Sequence, residues 1–221
     1  MATNDEVVTL VLDQAPSTLT FSNLFVPKAI GKKGKEQGEP KYSGTFEVDP
    51  TSPVFKLVKE EALKLAARRW PGRDTNELKF PWAKGSELAD KAKRETPPKD
   101  REFSRGKAVI TARTKHEPTL SYVDGRTLVE NLEGERRAAA KSKFYPGVQV
   151  LFEVGLKAYE GVGANPDGVN AYLNKVCSLA KGEKIQGLGG GQSSAETFKG
   201  YLGTTSDYDP TAGGAADDEQ F

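Results

Sequence analysis

The sequence predicts a mainly β or α+β chain that suits a small β-barrel with one or two helices and long loops. Three observations carry this. Val148, Val150, Phe152, Val154, Leu156 and Ala158 occupy alternate positions over eleven residues, the period of a strand with one buried face. A second apolar run, 169–179, follows across Asn165-Pro166-Asp167-Gly168, a turn signal that predicts a long hairpin. Only one stretch, 53–70, has a strong helical pattern with start and stop signals.

In chain order, Val7, Val8, Thr9, Leu10, Val11 and Leu12 are rich in β-branched residues and predict a strand. Shorter apolar pieces follow at 19–21 and 24–26. Residues 28–41 hold five lysines, two glutamates and three glycines, too few apolar groups for a packed element, and read as a basic loop. Tyr42, Gly44, Phe46 and Val48 resume strand periodicity. Thr51 and Ser52 then offer a cap, with Pro53 in the first helical turn. Phe55, Val58, Ala62, Leu65 and Ala66 fall on one face, and Pro71-Gly72 ends the helix. Residues 73–106 read as a long connection with one short helix near 86–93. Residues 107–115 and 119–123 predict strands, the second ending in the turn Asp124-Gly125. Residues 133–141 predict a helix. The glycine run 187–191 and everything after Gly203 read as flexible.

Charge divides the chain in two. Thirty-two Lys and Arg face 31 Asp and Glu, a formal net charge of +1. Five of the acids lie beyond Gly203, where there is no Lys or Arg. Residues 1–202 thus hold 32 bases against 26 acids, a net of +6. A basic body, 1–202, with an acidic tail, 203–221, points to a polyanionic partner and an interaction tail. No apolar stretch approaches the ~20 residues of a membrane span, and the polar start of the chain shows no secretory signal. A single cysteine, Cys177, excludes an internal disulfide and suits an intracellular setting, the cytoplasm.

Catalytic signatures are missing from the pattern. His116, the one histidine, has no nucleophile motif beside it and reads as a surface residue. Cys177 falls on a predicted strand and reads as a small core residue. The 187–191 glycine run lacks the Gly-Lys-Ser/Thr of a phosphate loop and the strand–helix setting of a dinucleotide site. No carboxylates cluster for a metal. The expectation is a protein without enzymatic activity or cofactor.

Binding of single-stranded nucleic acid requires a cationic track and exposed aromatic faces. The chain interleaves the two at Lys41-Tyr42, across 79–84 and 101–107, and at 141–145. Trp82, between proline and lysines, is the foremost stacking candidate, followed by Phe103 and Tyr122, the last expected on a strand beside 107–115. Lys107, Arg113 and Lys115 share one strand phase and form the candidate phosphate track, with Lys41 and Lys143 as further members. Trp70 is expected to pack. Asp217, Asp218 and Glu219 precede the terminal Phe221. An acidic segment ending in an aromatic carboxylate suits capture by a basic, apolar pocket on another protein, or transient occupation of the chain's own basic groove.

These features resemble phage-encoded single-stranded DNA-binding proteins with an oligonucleotide/oligosaccharide-binding (OB) fold. The resemblance runs from about Leu19 to Phe221. It is carried by Leu24 to Lys28, Pro40 to Ser43 leading into a strand, Phe144-Tyr145-Pro146-Gly147 before a long strand, Gly168 to Lys175, the glycine run, and the tail ending in Phe221. It implies a five-stranded barrel that protects single strands during phage replication, recombination and repair, and a tail that recruits replication proteins. Three features depart from the pattern: a long insertion near 86–107, a shorter and less acidic tail, and Gln220-Phe221 where bacterial counterparts end in Pro-Phe. A strand-annealing recombination protein is the alternative within the binding class. An exposed barrel edge would allow a homodimer.

Overall fold

The computed structural model describes residues 6–29, 38–96, 98–130 and 132–185. The centre of the basic loop, the 187–191 glycine run and the tail, with Asp217, Asp218, Glu219 and Phe221, lie outside the described residues.

Eight strands and three α-helices follow one another as β1 (Val7–Lys28), β2 (Lys41–Val48), α1 (Pro53–Arg69), β3 (Trp82–Lys84), α2 (Gly85–Lys93), β4 (Ala108–Thr114), β5 (Thr119–Asp124), β6 (Thr127–Val129), α3 (Gly134–Lys141), β7 (Gln149–Tyr159) and β8 (Gly168–Ser178). Five of them close into a ring in the order β4-β2-β1-β7-β8, with β8 returning to β4. The ring is antiparallel except at that closure, where Ala112 pairs with Ala171 in parallel. This five-stranded Greek-key barrel is an OB fold, as the sequence predicts. Its interior is lined by buried apolar side chains. Leu12, Phe46, Ile110 and Val154 are wholly buried, and the Phe46 and Phe152 rings stack with centroids 3.9 Å apart.

The N-terminal strand differs from the sequence reading. Instead of three short pieces, residues 7–28 form one strand that changes partner along its length. Val7 to Leu12 pair with β7; Thr18 to Asn23 pair with β2. The register breaks between Leu12 and Ser17, around Pro16. Proline donates no ladder hydrogen bond and is tolerated in a sheet at such an irregularity. Local propensity therefore sees an interruption where the barrel needs only a bend.

Helix α1 begins as predicted: the Ser52 hydroxyl accepts the Phe55 N–H at 3.2 Å, and Arg68 and Arg69 occupy the last turn, where cations favour the helix dipole. The core-facing line is Val54, Val58, Ala62, Leu65 and Ala66, so Val54 takes the place expected of Phe55. Phe55 is half-buried and meets Trp82 edge-on at 6.0 Å. Trp70 packs partly against the core, and Cys177 is half-buried.

The stretch between α1 and β4 has a structural task, carried by residues 79–84. β4 and β8 share only one pairing, and the gap between them is filled by residues 79–84. Trp82, Ala83 and Lys84 pair with Ile110, Val109 and Ala108. The Thr111 N–H donates to the Pro81 carbonyl at 2.8 Å. On the other side, the Lys79 N–H donates to Asp167 and the Val169 N–H to Lys79. Asp167 anchors this junction further. Its carboxylate accepts the Gly161 N–H at 2.6 Å and pairs with Arg73. These contacts, the Gly161 hydrogen bond first, hold its pKa below the usual range. The chains approach so closely at Gly168 that a Cβ there would lie 2.1 Å from the Lys79 carbonyl oxygen. Gly168→Ala is therefore expected to destabilise the protein by about 1–3 kcal/mol, measured by urea unfolding.

Candidate nucleic-acid interface

The outer face of the barrel is set by strand register. Residues directly opposite in antiparallel strands point to the same side. Thr111 of β4 lies opposite Thr45 of β2, which lies opposite Phe21 of β1. Arg113, Ser43 and Asn23 form a parallel row, tied by an Asn23–Ser43 side-chain hydrogen bond of 3.1 Å. Two rows thus cross three strands at right angles to the chain, one polar throughout and one ending in the Phe21 ring.

A groove of about 480 Å³ opens over these rows. Thr45, Thr111 and Val109 of the barrel strands line it, together with Phe80 and Trp82 of the 79–84 segment and Asn170 and Tyr172 of β8. Lys41, Lys79, Arg101 and Arg113 bring four cations to it, and no Asp or Glu lines it. A smaller recess, shared with Lys41 and Arg113, continues toward Gly38 and Glu39. Charge pairing separates these four from their neighbours. Lys84, Lys93, Arg105 and Lys143 each face a carboxylate. Among the described residues, no ion pair engages Lys41, Lys79, Arg101 or Arg113. Cations without ion pairs among the described residues, beside the half-buried Phe80 and Trp82 rings and the exposed Tyr172, form a surface suited to a polyanion that carries flat apolar groups.

The predicted residues divide. Lys41, Trp82 and Arg113 meet in the groove. Trp82 is half-buried, stacked on Phe80 at 4.6 Å and braced by Phe55. Phe103 lies outside the groove, 6.5 Å from Phe21. Lys107 is exposed just ahead of β4, at the end remote from Arg113. Lys115 lies beyond the strand and is held by Glu39 at 2.5 Å.

Tyr122 requires correction. Its strand, β5, pairs with β8 and β6 rather than with β4, and the residue is only 8% exposed. Period two places Tyr122 correctly on one face of β5, but that face is the core. Lys143 sits over the same ring at 5.6 Å and 3.9 Å from Asp124, at the end of α3 and outside the groove.

The groove also recruits Lys79, Phe80 and Arg101, which belong to the interleaved basic–aromatic runs, although the runs alone do not single them out. Asn170 and Tyr172 are legible only as the polar phase of β8. Tyr172 lies opposite Gly155 and remains 38% exposed.

One carboxylate lies near the face without entering the groove. Glu47 is buried and accepts the Ser104 hydroxyl. Burial pushes its pKa up, opposed by that hydrogen bond and by Lys107 and Arg101.

A family model described as Enterobacter phage Enc34, ssDNA-binding protein matches residues 9–209. Among solved structures, the chain resembles the single-stranded DNA-binding protein from bacteriophage Enc34 in complex with ssDNA, at 18% identity and a TM-score of 0.51. That match covers 81% of this chain and 89% of the other. A second structure of the Enc34 protein matches at 18% identity and a TM-score of 0.52, covering 88% and 89%. At such identity the likeness is one of fold. No curated protein matches the sequence.

Burial assigns opposite roles to two tyrosines. Tyr122→Ala is expected to cost about 3 kcal/mol of stability, as for other large core truncations. Tyr172→Ala, on the exposed face, is expected to stay within about 0.5 kcal/mol of the parent. Paired urea titrations check both.

Proposed function

Because the chain belongs to the family of the Enterobacter phage Enc34 ssDNA-binding protein, we propose that it binds single-stranded DNA without regard to sequence and acts by binding alone. The observation that supports this reading most strongly is the groove itself: four cations that no ion pair engages among the described residues, set beside Phe80, Trp82 and Tyr172. The cations neutralise phosphates and release counterions, which supplies affinity that does not depend on base identity. The rings stack against base faces, which every base offers, at about 1–3 kcal/mol each. Thr45 and Thr111 supply neutral contacts, and Asn170 offers both a donor and an acceptor.

The proposed setting is the host cytoplasm during phage replication, recombination and repair, where exposed single strands need protection. The tail is proposed to recruit replication partners through Asp217, Asp218, Glu219 and Phe221. It also competes with DNA for the basic body, since residues 1–202 carry +6 and the tail −5.

Salt titration tests the groove. If all four cations contact phosphates, the log–log slope for oligo-dT should be about −3, from ~0.7 per contact. The strand should be recovered uncut when Mg²⁺ is present. Affinity insensitive to salt, or cleavage, would overturn the proposal. Removing residues 203–221 should tighten oligo-dT binding at low salt and weaken capture of replication partners. Unchanged DNA affinity would refute the competition between tail and strand.

A further inference from the structure

We propose that Arg101 is a base-stacking platform: its guanidinium rests one face on the Phe21 ring and offers the other to a nucleobase of the bound strand. This inference rests on the single-stranded DNA reading above and adds a subsite to it. The Arg101 Cζ lies 4.2 Å from the Phe21 centroid, the separation of a stacked cation–π pair. Arg101 also lines the groove, and no ion pair among the described residues draws its guanidinium away. A planar guanidinium has two faces and stacks on bases much as an aromatic ring does.

The neighbouring chain is built to hold this arrangement. Arg101 begins a short arm, 101–107, laid against the barrel between α2 and β4. The Ser104 N–H donates to the Arg101 carbonyl at 3.0 Å, and the Lys107 N–H to the Ser104 carbonyl at 3.0 Å. The Ser104 hydroxyl donates to buried Glu47 of β2. Glu102 is gripped by Lys93 at 2.5 Å and Arg105 at 2.7 Å. Glu102 and Arg105 are thus engaged within the arm or with α2, while Arg101 is directed onto Phe21.

Register explains why a base would arrive there. Phe21 ends the row that passes through Thr45 and Thr111, and Tyr172 stands on β8 beyond β4. Three strand spacings separate β8 from β1, roughly 14 Å at ~4.8 Å each. Tyr172 follows Ala171, the partner of Ala112, and so lies level with Arg113; a strand crossing the two rows obliquely would meet Tyr172 at one end and the Arg101–Phe21 pair at the other. The phosphates between them would pass Arg113 and Lys41.

The test separates stacking from charge. Arg101→Lys keeps the cation and loses the plane. It should lower oligo-dT affinity about 5–20-fold, within the range of one stacked base, with an unchanged salt slope. Arg101→Ala should lose at least as much affinity and flatten the slope by ~0.7. Phe21→Leu keeps an apolar residue but removes the ring. It should weaken binding like Arg101→Lys, with the double variant little worse than either single one, as for residues acting as a unit. On an abasic strand, which has phosphates but no bases, Arg101→Lys should match the parent. Parental affinity of Arg101→Lys for oligo-dT, equal losses on the abasic strand, or additive single effects would overturn the platform. If the parent protein itself fails to bind oligo-dT, the single-stranded DNA reading fails instead.

Discussion

The closure between β4 and β8 is the constraint on which the rest of the molecule depends. Those strands share one pairing, Ala112 with Ala171, and beside it the ring would otherwise leave backbone N–H and C=O groups without partners. A buried unpaired backbone group costs about 1–3 kcal/mol, so an open seam is expensive. Residues 79–84 resolve it by pairing with β4 on one side and with the start of β8 on the other. The connection after α1 is thus the piece that closes the barrel, and its length is explained by the distance it must cross.

Closing the seam also creates the groove. The same six residues that satisfy the backbone carry Lys79, Phe80 and Trp82 to the rim. Beyond α2, the chain returns along β2 as the arm that bears Arg101, pinned by Ser104 on Glu47. Glu47 is buried next to a cationic face, and its carboxylate is satisfied there by the Ser104 hydroxyl. Held beneath the arm, Glu47 contributes to position while the groove lining keeps a single sign of charge.

Local rules made much of the fold legible. Alternation located β2, β4, β5, β7 and β8 to within a residue or two, and Ser52-Pro53 marked the start of α1, because pleat and cap act over a few residues. The same rules divided β1 at its irregularity around Pro16, which β7 spans by pairing with Val7 to Leu12 before it and with Ser17 and Thr18 after it. They left 73–106 without a task, since the partners of that segment lie at 108–111 and 167–169.

The site followed the same division. Of the residues read from the interleaved cations and rings, Trp82, Arg113 and Lys41 come together in one groove. The sequence by itself determined the strand periods, the α1 cap and the +6 charge of residues 1–202 with the acidic residues after them, because these are local or additive properties of the residues. Tertiary structure alone decided that Tyr122 is core, that Tyr172 is surface, that Lys115 is paired and that Arg101 sits on Phe21. Each of those outcomes depends on which strand lies beside which, and that is settled by closure of the ring through contacts between residues far apart in the chain.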